Sequence, residues 1–144
     1  MTSGDEIRNL LGRYCDLMDA GDFTGVGALF GRGCLADEHG TPLASGADEV
    51  AAFYAAGTRL HDGSPRTKHL VTNTVIEVDE ENGAAVALSS YLVLQQVADG
   101  PLQPIITGRY EDHLSSVDGW HFVERRFFVD LMGDLSQHLR YGIV

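Results

Sequence analysis

The sequence predicts an α+β fold in which helices come first and an antiparallel sheet follows. Three observations support this prediction. Apolar residues recur at helical spacing through much of the first 60 residues. From residue 67 the period changes to two and stays at two over four long segments. The connections between these segments contain turn-forming residues rather than helices, so neighbouring strands are expected to pair as an antiparallel meander.

Three helices are predicted in the N-terminal part. Ser3 and Glu6 have the spacing of a capping box, and Gly21 is expected to end the first helix. The apolar face of that helix consists of Ile7, Leu10, Leu11, Tyr14, Leu17 and Met18. A short second helix carries the apolar stripe Phe23, Val26, Leu29 and Phe30, although nearby glycines weaken it. A third helix is predicted over residues 47–60.

One short strand and four long strands are predicted. The short strand covers residues 33–39 and is closed by a turn at 40–42. The long strands cover residues 67–78, 84–98, 103–114 and 120–129. The stretch 130–144 fits neither period and receives no assignment. Because no repeat or linker interrupts the chain, a single domain over residues 1–144 is expected.

Composition and charge limit the partners. The chain has 144 residues, of which 44% are hydrophobic, and a formal net charge of −11, which indicates an acidic globular protein. Neither nucleic acid nor an anionic membrane is an expected partner, since both require clustered positive charge. No signal peptide is visible. Cys15 and Cys34 are isolated in the sequence, which is typical of free thiols in a reducing cytoplasm. A cytoplasmic location is therefore expected.

Common cofactor and metal motifs are missing from the sequence. It contains no glycine-rich dinucleotide fingerprint after a strand, no P-loop, no HExxH and no GxSxG. None of the six histidines is followed by another four residues later, so a metal site would need distant ligands. No cofactor and no metal are expected.

The order and spacing of six segments resemble the NTF2-like superfamily, and within it the SnoaL-like branch with scytalone dehydratase, ketosteroid isomerase and polyketide cyclases. The segments are RYCDLMDAGDF (13–23), ALF (28–30), GADEVAAFY (46–54), RTKHLVTNTVI (66–76), GRYEDHL (108–114) and VDGWHFVERR (117–126). The resemblance implies a cone in which three helices pack on a curved antiparallel sheet and enclose an apolar pocket. This fold serves both enzymes and binding modules, so it leaves the function open.

Asp19 and His69 are the first candidate catalytic residues. Asp19 borders the apolar face of the first helix, where it could equally be a solvated carboxylate or bond the loop at Gly21. His69 shares a strand face with Val71, Asn73 and Val75, which predicts a pocket wall with few polar groups, although a buried core histidine would give the same pattern. The resemblance to the dehydratases places both residues in the pocket, and an aspartate could hold the histidine as acid or base.

Tyr14 and Asp37 are the other candidate catalytic residues. Tyr14 lies on the apolar helix face, where packing is its default role; the resemblance to the isomerases implies a hydrogen bond to a substrate oxygen. Asp37 alternates with Leu35 and His39 and matches the isomerases' proton-shuttling aspartate. In an apolar cavity its pKa would be raised; the alternative is an exposed charge at the end of a strand.

The sequence also departs from both enzyme patterns. The dehydratases' second pocket histidine falls near Gln95, and the isomerases' protonated acid falls near Gly108, so neither chemistry transfers intact. The substrate-binding residues expected instead are Tyr54, Asn73, Tyr91, Gln95 and Tyr110.

The leading hypothesis is a cofactor-independent lyase, isomerase or cyclase acting on a hydrophobic polyketide-like or steroid-like molecule. It would catalyse a dehydration, a double-bond shift or a ring closure. The alternative is a non-catalytic ligand-binding or assembly module resembling the small subunit of ring-hydroxylating dioxygenases. A homodimer is also expected, because the strand over residues 84–98 is apolar on both faces and needs cover on both.

Overall fold

The predicted α+β order is confirmed by a computed structural model, which describes residues 1–141. Its elements are α1 (Ser3–Ala20), α2 (Phe23–Leu29), β1 (Cys34–Ala36), β2 (Pro42–Ser45), α3 (Gly46–Gly57), β3 (Thr67–Asp79), β4 (Ala84–Gln95), β5 (Gln103–Ser115) and β6 (His121–Met132). Within residues 1–141, no helix combines the length and the apolar character needed to cross a bilayer.

The six strands form one curved, open sheet in the order β2-β1-β6-β5-β4-β3. The four long strands pair antiparallel as predicted. The sheet is nevertheless mixed, because β6 returns beside β1 in the same direction and pairs with it in parallel. The predicted antiparallel meander thus forms most of the sheet, and the β1–β6 pair adds a parallel contact to it.

The ends of α1 show how local sequence defines this helix. The capping box is made by Thr2 and Asp5, one residue earlier than predicted: Asp5 N–H donates to the Thr2 hydroxyl, and Thr2 N–H donates to the Asp5 carboxylate. At the other end Gly21 adopts φ +71°, so the predicted glycine stop is confirmed. Asp19 thus lies in the last turn of the helix.

The short strands differ from the prediction. β1 ends at Ala36 because residues 37–41 form a tight turn, and β2 begins at Pro42, where only the end of a turn was expected. β2 runs directly into α3, which packs closely on α2. A side chain at Gly27 of α2 would collide with the carbonyl oxygen of Ala47, so this glycine permits the close helix packing.

The hydrophobic core lies between the helices and one face of the sheet. It contains the inner face of α1, aromatic residues of α2 and α3, and the inward-facing residues of β4 and β5. Cys15, which belongs to the core, and the half-buried Cys34 are both free thiols. The core is not filled completely, and the space that remains is the candidate site.

Candidate active site

A cavity of about 540 Å³ lies between the inner face of the sheet, helices α1 and α3, and the C-terminal segment, defined here as residues 133–141. Its walls are mainly apolar and aromatic, with Met18, Val93, Ile106 and Phe127 among them. The polar groups are few: tyrosine hydroxyls, Thr58, two histidines and, among acids, Asp37. None of the described lining residues is a lysine or an arginine. The cavity therefore suits a neutral, largely apolar ligand.

His69 and Asp19 form a hydrogen-bonded pair at the cavity wall. The Nδ1 of His69 lies 2.6 Å from the Oδ1 of Asp19. The same carboxylate accepts the backbone N–H of His69 at 2.9 Å and the hydroxyl of Thr67 at 3.0 Å. Only 6% of the His69 side chain and 14% of the Asp19 side chain are exposed. Neighbouring residues of β3 thus hold the last turn of α1 against the sheet through one carboxylate.

This hydrogen bond assigns the roles of the two imidazole nitrogens. An ionised carboxylate only accepts hydrogen bonds, so when the imidazole is neutral this contact places its proton on Nδ1 and its lone pair on Nε2. His69 lines the cavity, whereas Asp19 is not among the described residues that do. The geometry can therefore support a general base, His69, with Asp19 orienting the ring and stabilising the imidazolium.

Tyr14 and Tyr54 place a pair of hydroxyl groups in the same cavity. Their two oxygens are 2.6 Å apart, and both side chains are buried. Burial raises the pKa of both tyrosines, although for Tyr14 the nearby Arg125 guanidinium opposes the rise. Both hydroxyls are therefore protonated at neutral pH. One donates to the other, which leaves the second proton available for a ligand oxygen.

A buried ion pair lies behind these tyrosines. Arg125 and Asp112 are fully buried and joined by two hydrogen bonds of 2.7 and 2.9 Å. The guanidinium carbon lies 3.7 Å from the ring centroid of Tyr110 and 4.2 Å from that of Tyr14. Burial alone would lower the pKa of Arg125, but the Asp112 carboxylate outweighs it and the pKa is raised. A permanent positive charge thus stacks on two rings of the cavity wall.

Sequence reasoning did not select this ion pair. The alternation of inward-facing and outward-facing residues along β5 and β6 could have indicated it. Asp112 is in register with the inward-facing Tyr110 and Leu114, and Arg125 is the residue that pairs with Asp112 across the two strands. A charged residue at an inward position requires a partner, and opposite charges at one cross-strand pair provide it.

The C-terminal segment, unassigned from its sequence, closes one side of the cavity. Leu135, His138 and Leu139 line it. The imidazole of His138 is buried, and its centroid lies 6.2 Å from that of His69. Burial, followed by the neighbouring His69, lowers the pKa of His138 to about 4, while Asp19 opposes the shift. The segment is a tight turn without a regular period, so no periodic pattern marked His138.

No group of three or more His, Cys, Asp or Glu side chains within residues 1–141 is arranged to hold a metal ion. The arrangement that the described residues do provide is a general base, neutral hydrogen-bond donors and an apolar enclosure.

Comparison with protein families identifies the chain. A family model described as a SnoaL-like domain matches residues 1–126, which include the three helices, β1 to β5 and the first half of β6. The chain belongs to the SnoaL-like domain family. No curated protein matches it in sequence.

Three solved structures from Novosphingobium aromaticivorans share the fold of this SnoaL-like domain. An NTF2-like protein with a cystatin-like fold has 21% identity and a TM-score of 0.71, with 88% of this chain and 80% of that chain covered. A candidate scytalone dehydratase has 20% identity and a TM-score of 0.71, with 98% and 89% covered. The β subunit of a candidate aromatic-ring-hydroxylating dioxygenase has 19% identity and a TM-score of 0.68, with 93% and 94% covered. The predicted NTF2-like fold is confirmed.

Most of the sequence-predicted site residues of the SnoaL-like domain come together in its cavity. Tyr14, Tyr54, His69, Tyr91 and Tyr110 all line it. The rings of Tyr91 and Tyr110 stack with centroids 4.5 Å apart, and the Tyr91 hydroxyl donates to the Phe128 carbonyl at 3.0 Å. Gly108 makes room for this arrangement, because a Cβ at that position would collide with the Tyr91 ring. The Tyr91 hydroxyl is thus already engaged, which leaves its ring face to the cavity.

Asp37 differs from its expected state. It lines the cavity at its solvent side, where its carboxylate accepts the backbone N–H groups of His39 and Thr41 at 2.9 Å each. These bonds, that from Thr41 foremost, lower its pKa. The expectation of a raised pKa was wrong, because turn amides rather than apolar walls surround the carboxylate. A lowered pKa makes Asp37 a poor proton shuttle.

Asn73 does not share the face of His69. A bulge interrupts β3 between Thr72 and Val75, and Asn73 adopts φ +54°, a left-handed conformation that asparagine tolerates. Asn73 is exposed and contributes to two outer clefts rather than to the 540 Å³ cavity. Beyond the bulge the alternation is inverted, so that Ile76 packs on the core and Val75 is exposed. The bulge therefore turns Asn73, predicted as a substrate contact, away from the cavity.

Gln95 is buried, but its amide is used by the backbone. Its Nε2 donates to the carbonyls of Pro65 at 3.1 Å and Gln137 at 3.0 Å, and Gln95 is not among the described lining residues. The amide predicted to bind substrate is thus engaged by two backbone carbonyls. Instead, Gln95 joins the loop before β3 to the C-terminal segment and so helps to position His138.

Proposed function

We propose that this SnoaL-like domain is a cofactor-independent enzyme that moves a proton on a neutral, oxygenated hydrophobic molecule of polyketide-like or steroid-like size. The observation that carries the proposal is the buried Asp19–His69 pair, whose imidazole faces an apolar cavity. A protein that only binds or assembles does not need an oriented, water-shielded base at such a place.

His69 acts as the general base through Nε2. It accepts a proton from a carbon next to a carbonyl group, and the positive charge that forms on the ring is stabilised by Asp19 at 2.6 Å. In a dehydration the C–O bond of a neighbouring hydroxyl then breaks, the leaving oxygen takes the proton from the imidazolium, and water departs. In a double-bond shift the same proton returns to another carbon. Both routes restore the neutral imidazole.

The Tyr14–Tyr54 pair stabilises the enolate oxygen in either route. One hydroxyl proton is free of the mutual hydrogen bond, and both groups lie in the cavity wall. The Arg125 cation stacked on the Tyr14 ring strengthens that hydroxyl as a donor. Ring closure through an enol would use the same groups.

The test compares turnover of a panel of polycyclic ketones and phenols by the wild type and by His69→Ala and Asp19→Asn. Loss of the base is expected to lower kcat by roughly 10²- to 10⁴-fold. Asp19→Asn is expected to lower kcat as well, because an amide cannot stabilise the imidazolium charge. His121→Gln, which changes a histidine outside the cavity, is the matched control and should retain full activity.

Unchanged turnover in both variants would refute the assignment of acid–base chemistry to this pair. A wild-type chain without activity on the panel that co-purifies with a larger oxygenase subunit would instead support the assembly alternative. Ligand binding by a wild-type chain that turns over no member of the panel would support a carrier role.

A further inference from the structure

His138 combines three features that no role in the fold explains. The residue is buried, with 7% of its surface exposed. Its Nδ1 is buried and has no hydrogen-bond partner among the described residues. It lines the same cavity as His69. A buried polar atom without a partner is destabilising, and a side chain that only packs would be better replaced by an apolar one.

The position of His138 is held by its backbone and not by its ring. Its carbonyl accepts the N–H of Arg59 at 2.8 Å, and its N–H donates to Leu135 at 3.0 Å. The flanking residues are tied down as well: the Arg140 N–H donates to the Gly57 carbonyl at 2.9 Å, and the Gln137 carbonyl accepts from Gln95. The backbone thus holds the imidazole at the cavity wall while its Nδ1 has no partner within residues 1–141, which is the arrangement of a preorganised ligand-binding group.

The geometry relative to His69 indicates what the ring can bind. The two ring centroids are 6.2 Å apart with an angle of 64° between the planes, and no hydrogen bond joins them. Nδ1 of His69 is engaged by Asp19, so Nε2 is the nitrogen left for a ligand. One oxygen atom near both rings can accept a hydrogen bond from the His138 imidazole, and a hydroxyl at that place can in addition donate to the lone pair on Nε2 of His69.

We propose that His138 is a ligand-binding residue of the site, which donates a hydrogen bond as a neutral imidazole to a carbonyl or hydroxyl oxygen placed between it and His69. The proposal extends the proposed function, on which it rests for the assumption that the cavity holds a ligand. It also narrows the substrate class to uncharged molecules that carry an oxygen at the histidine end of the apolar body. No proton leaves His138; the ring only polarises the bound oxygen.

Two further observations agree with this role. The pKa of His138 is lowered to about 4, first by burial and then by His69, against the opposing carboxylate of Asp19, so the ring is neutral near pH 7. The described lining residues include no lysine or arginine, so a carboxylate or phosphate on the ligand would find no countercharge.

The experiment uses the full chain and two probes with the same ring skeleton, 1-tetralone and the hydrocarbon tetralin. We measure the Kd of each for the wild type, His138→Leu and the control His121→Leu, which changes a histidine outside the cavity. In His138→Leu the preference for the ketone over the hydrocarbon is expected to fall roughly two- to tenfold, the worth of one neutral hydrogen bond. Tetralin binding should be unchanged or tighter, and His121→Leu should keep the wild-type preference.

A ketone preference that is unchanged in a His138→Leu protein that still binds tetralin would overturn the proposal. Should that variant fail to fold, the ring ¹⁵N resonances of His138 in the wild type decide the question. They are expected to shift on addition of 1-tetralone and not of tetralin; unchanged resonances at the solubility limit of the ketone would refute the role. Unchanged turnover in both His69→Ala and Asp19→Asn would refute the proposed function alone, since the ketone preference does not depend on turnover.

Discussion

Asp19 and Asp37 show how the surroundings of one residue type decide its chemistry. Asp19 accepts hydrogen bonds from residues of β3, including one from the ring of His69, and is thereby linked to an imidazole that faces the cavity. Asp37 lines the cavity directly, yet two turn amides donate hydrogen bonds to its Oδ1 and lower its pKa. A sequence pattern can place an acid near a pocket, but it does not show which donors the carboxylate will meet.

The Arg125–Asp112 pair leads to a prediction at the residue scale. Asp112→Asn would leave a fully buried guanidinium without its countercharge, and we expect the free energy of unfolding to fall by about 3–5 kcal/mol. The double variant Asp112→Leu with Arg125→Met removes both charges and is expected to be more stable than the single variant. Urea denaturation of the three proteins measures both effects.

The matched control for this prediction is an exposed pair on the same two strands. Arg109 and Asp130 also make a forked contact, but both side chains are substantially exposed. Asp130→Asn should therefore cost far less stability than Asp112→Asn, because water replaces the lost partner. Equal losses at the two positions would contradict the account based on burial.

At the scale of elements, the strands with a regular period were predicted from the sequence, whereas the bulge and the irregular C-terminal segment were not. The period-two pattern placed β3 to β6 with small errors at their ends. The bulge at Asn73 was missed because one extra residue changes the face of everything after it without changing the composition of the strand. The C-terminal segment was missed because long-range bonds to Gln95 and Gly57, and not its own pattern, determine its path.

Gln95 provides a test of how the C-terminal segment is held. Gln95→Leu deletes the donor to the Pro65 and Gln137 carbonyls, so the segment should open more often. We expect amide hydrogen exchange of residues 138–140 to become about tenfold faster, which corresponds to the loss of roughly 1.4 kcal/mol of local stability. Mass spectrometry of deuterium uptake measures the change.

The control is Gln103→Leu, the same substitution at the exposed residue that pairs with Gln95 across β4 and β5. It should leave exchange in the segment unchanged. If Gln95→Leu also leaves exchange unchanged, the other bonds of the segment, such as those from Arg59 and Arg140, are sufficient to hold it.

For the whole molecule, the resemblance of six short segments predicted a fold that neither their composition nor their period could define alone. The order of helices and strands, the enclosed cavity and the approach of Asp19 to His69 all follow from that fold. The position of His138 depends on contacts between distant parts of the chain, whereas Asp112 and Arg125 are paired by two consecutive strands. The predicted oligomeric state also belongs to this scale and is open to experiment.

The outer face of the sheet supports the expectation of a homodimer. Val75 and Leu88 pair across β3 and β4 and are 59% and 48% exposed, with the partly exposed Leu70 on the same strand as Val75. Contiguous apolar residues on a sheet face are more stable when another surface buries them, and a second copy of the chain provides such a surface without a further partner. Light scattering should therefore give a mass twice the 15.6 kDa of the chain.

The double variant Val75→Glu with Leu88→Glu adds repulsion between two acidic copies and should give the mass of the monomer. Leu102→Glu, at an exposed leucine outside the strands, should leave the dimer intact, whereas a monomeric wild type would refute the prediction.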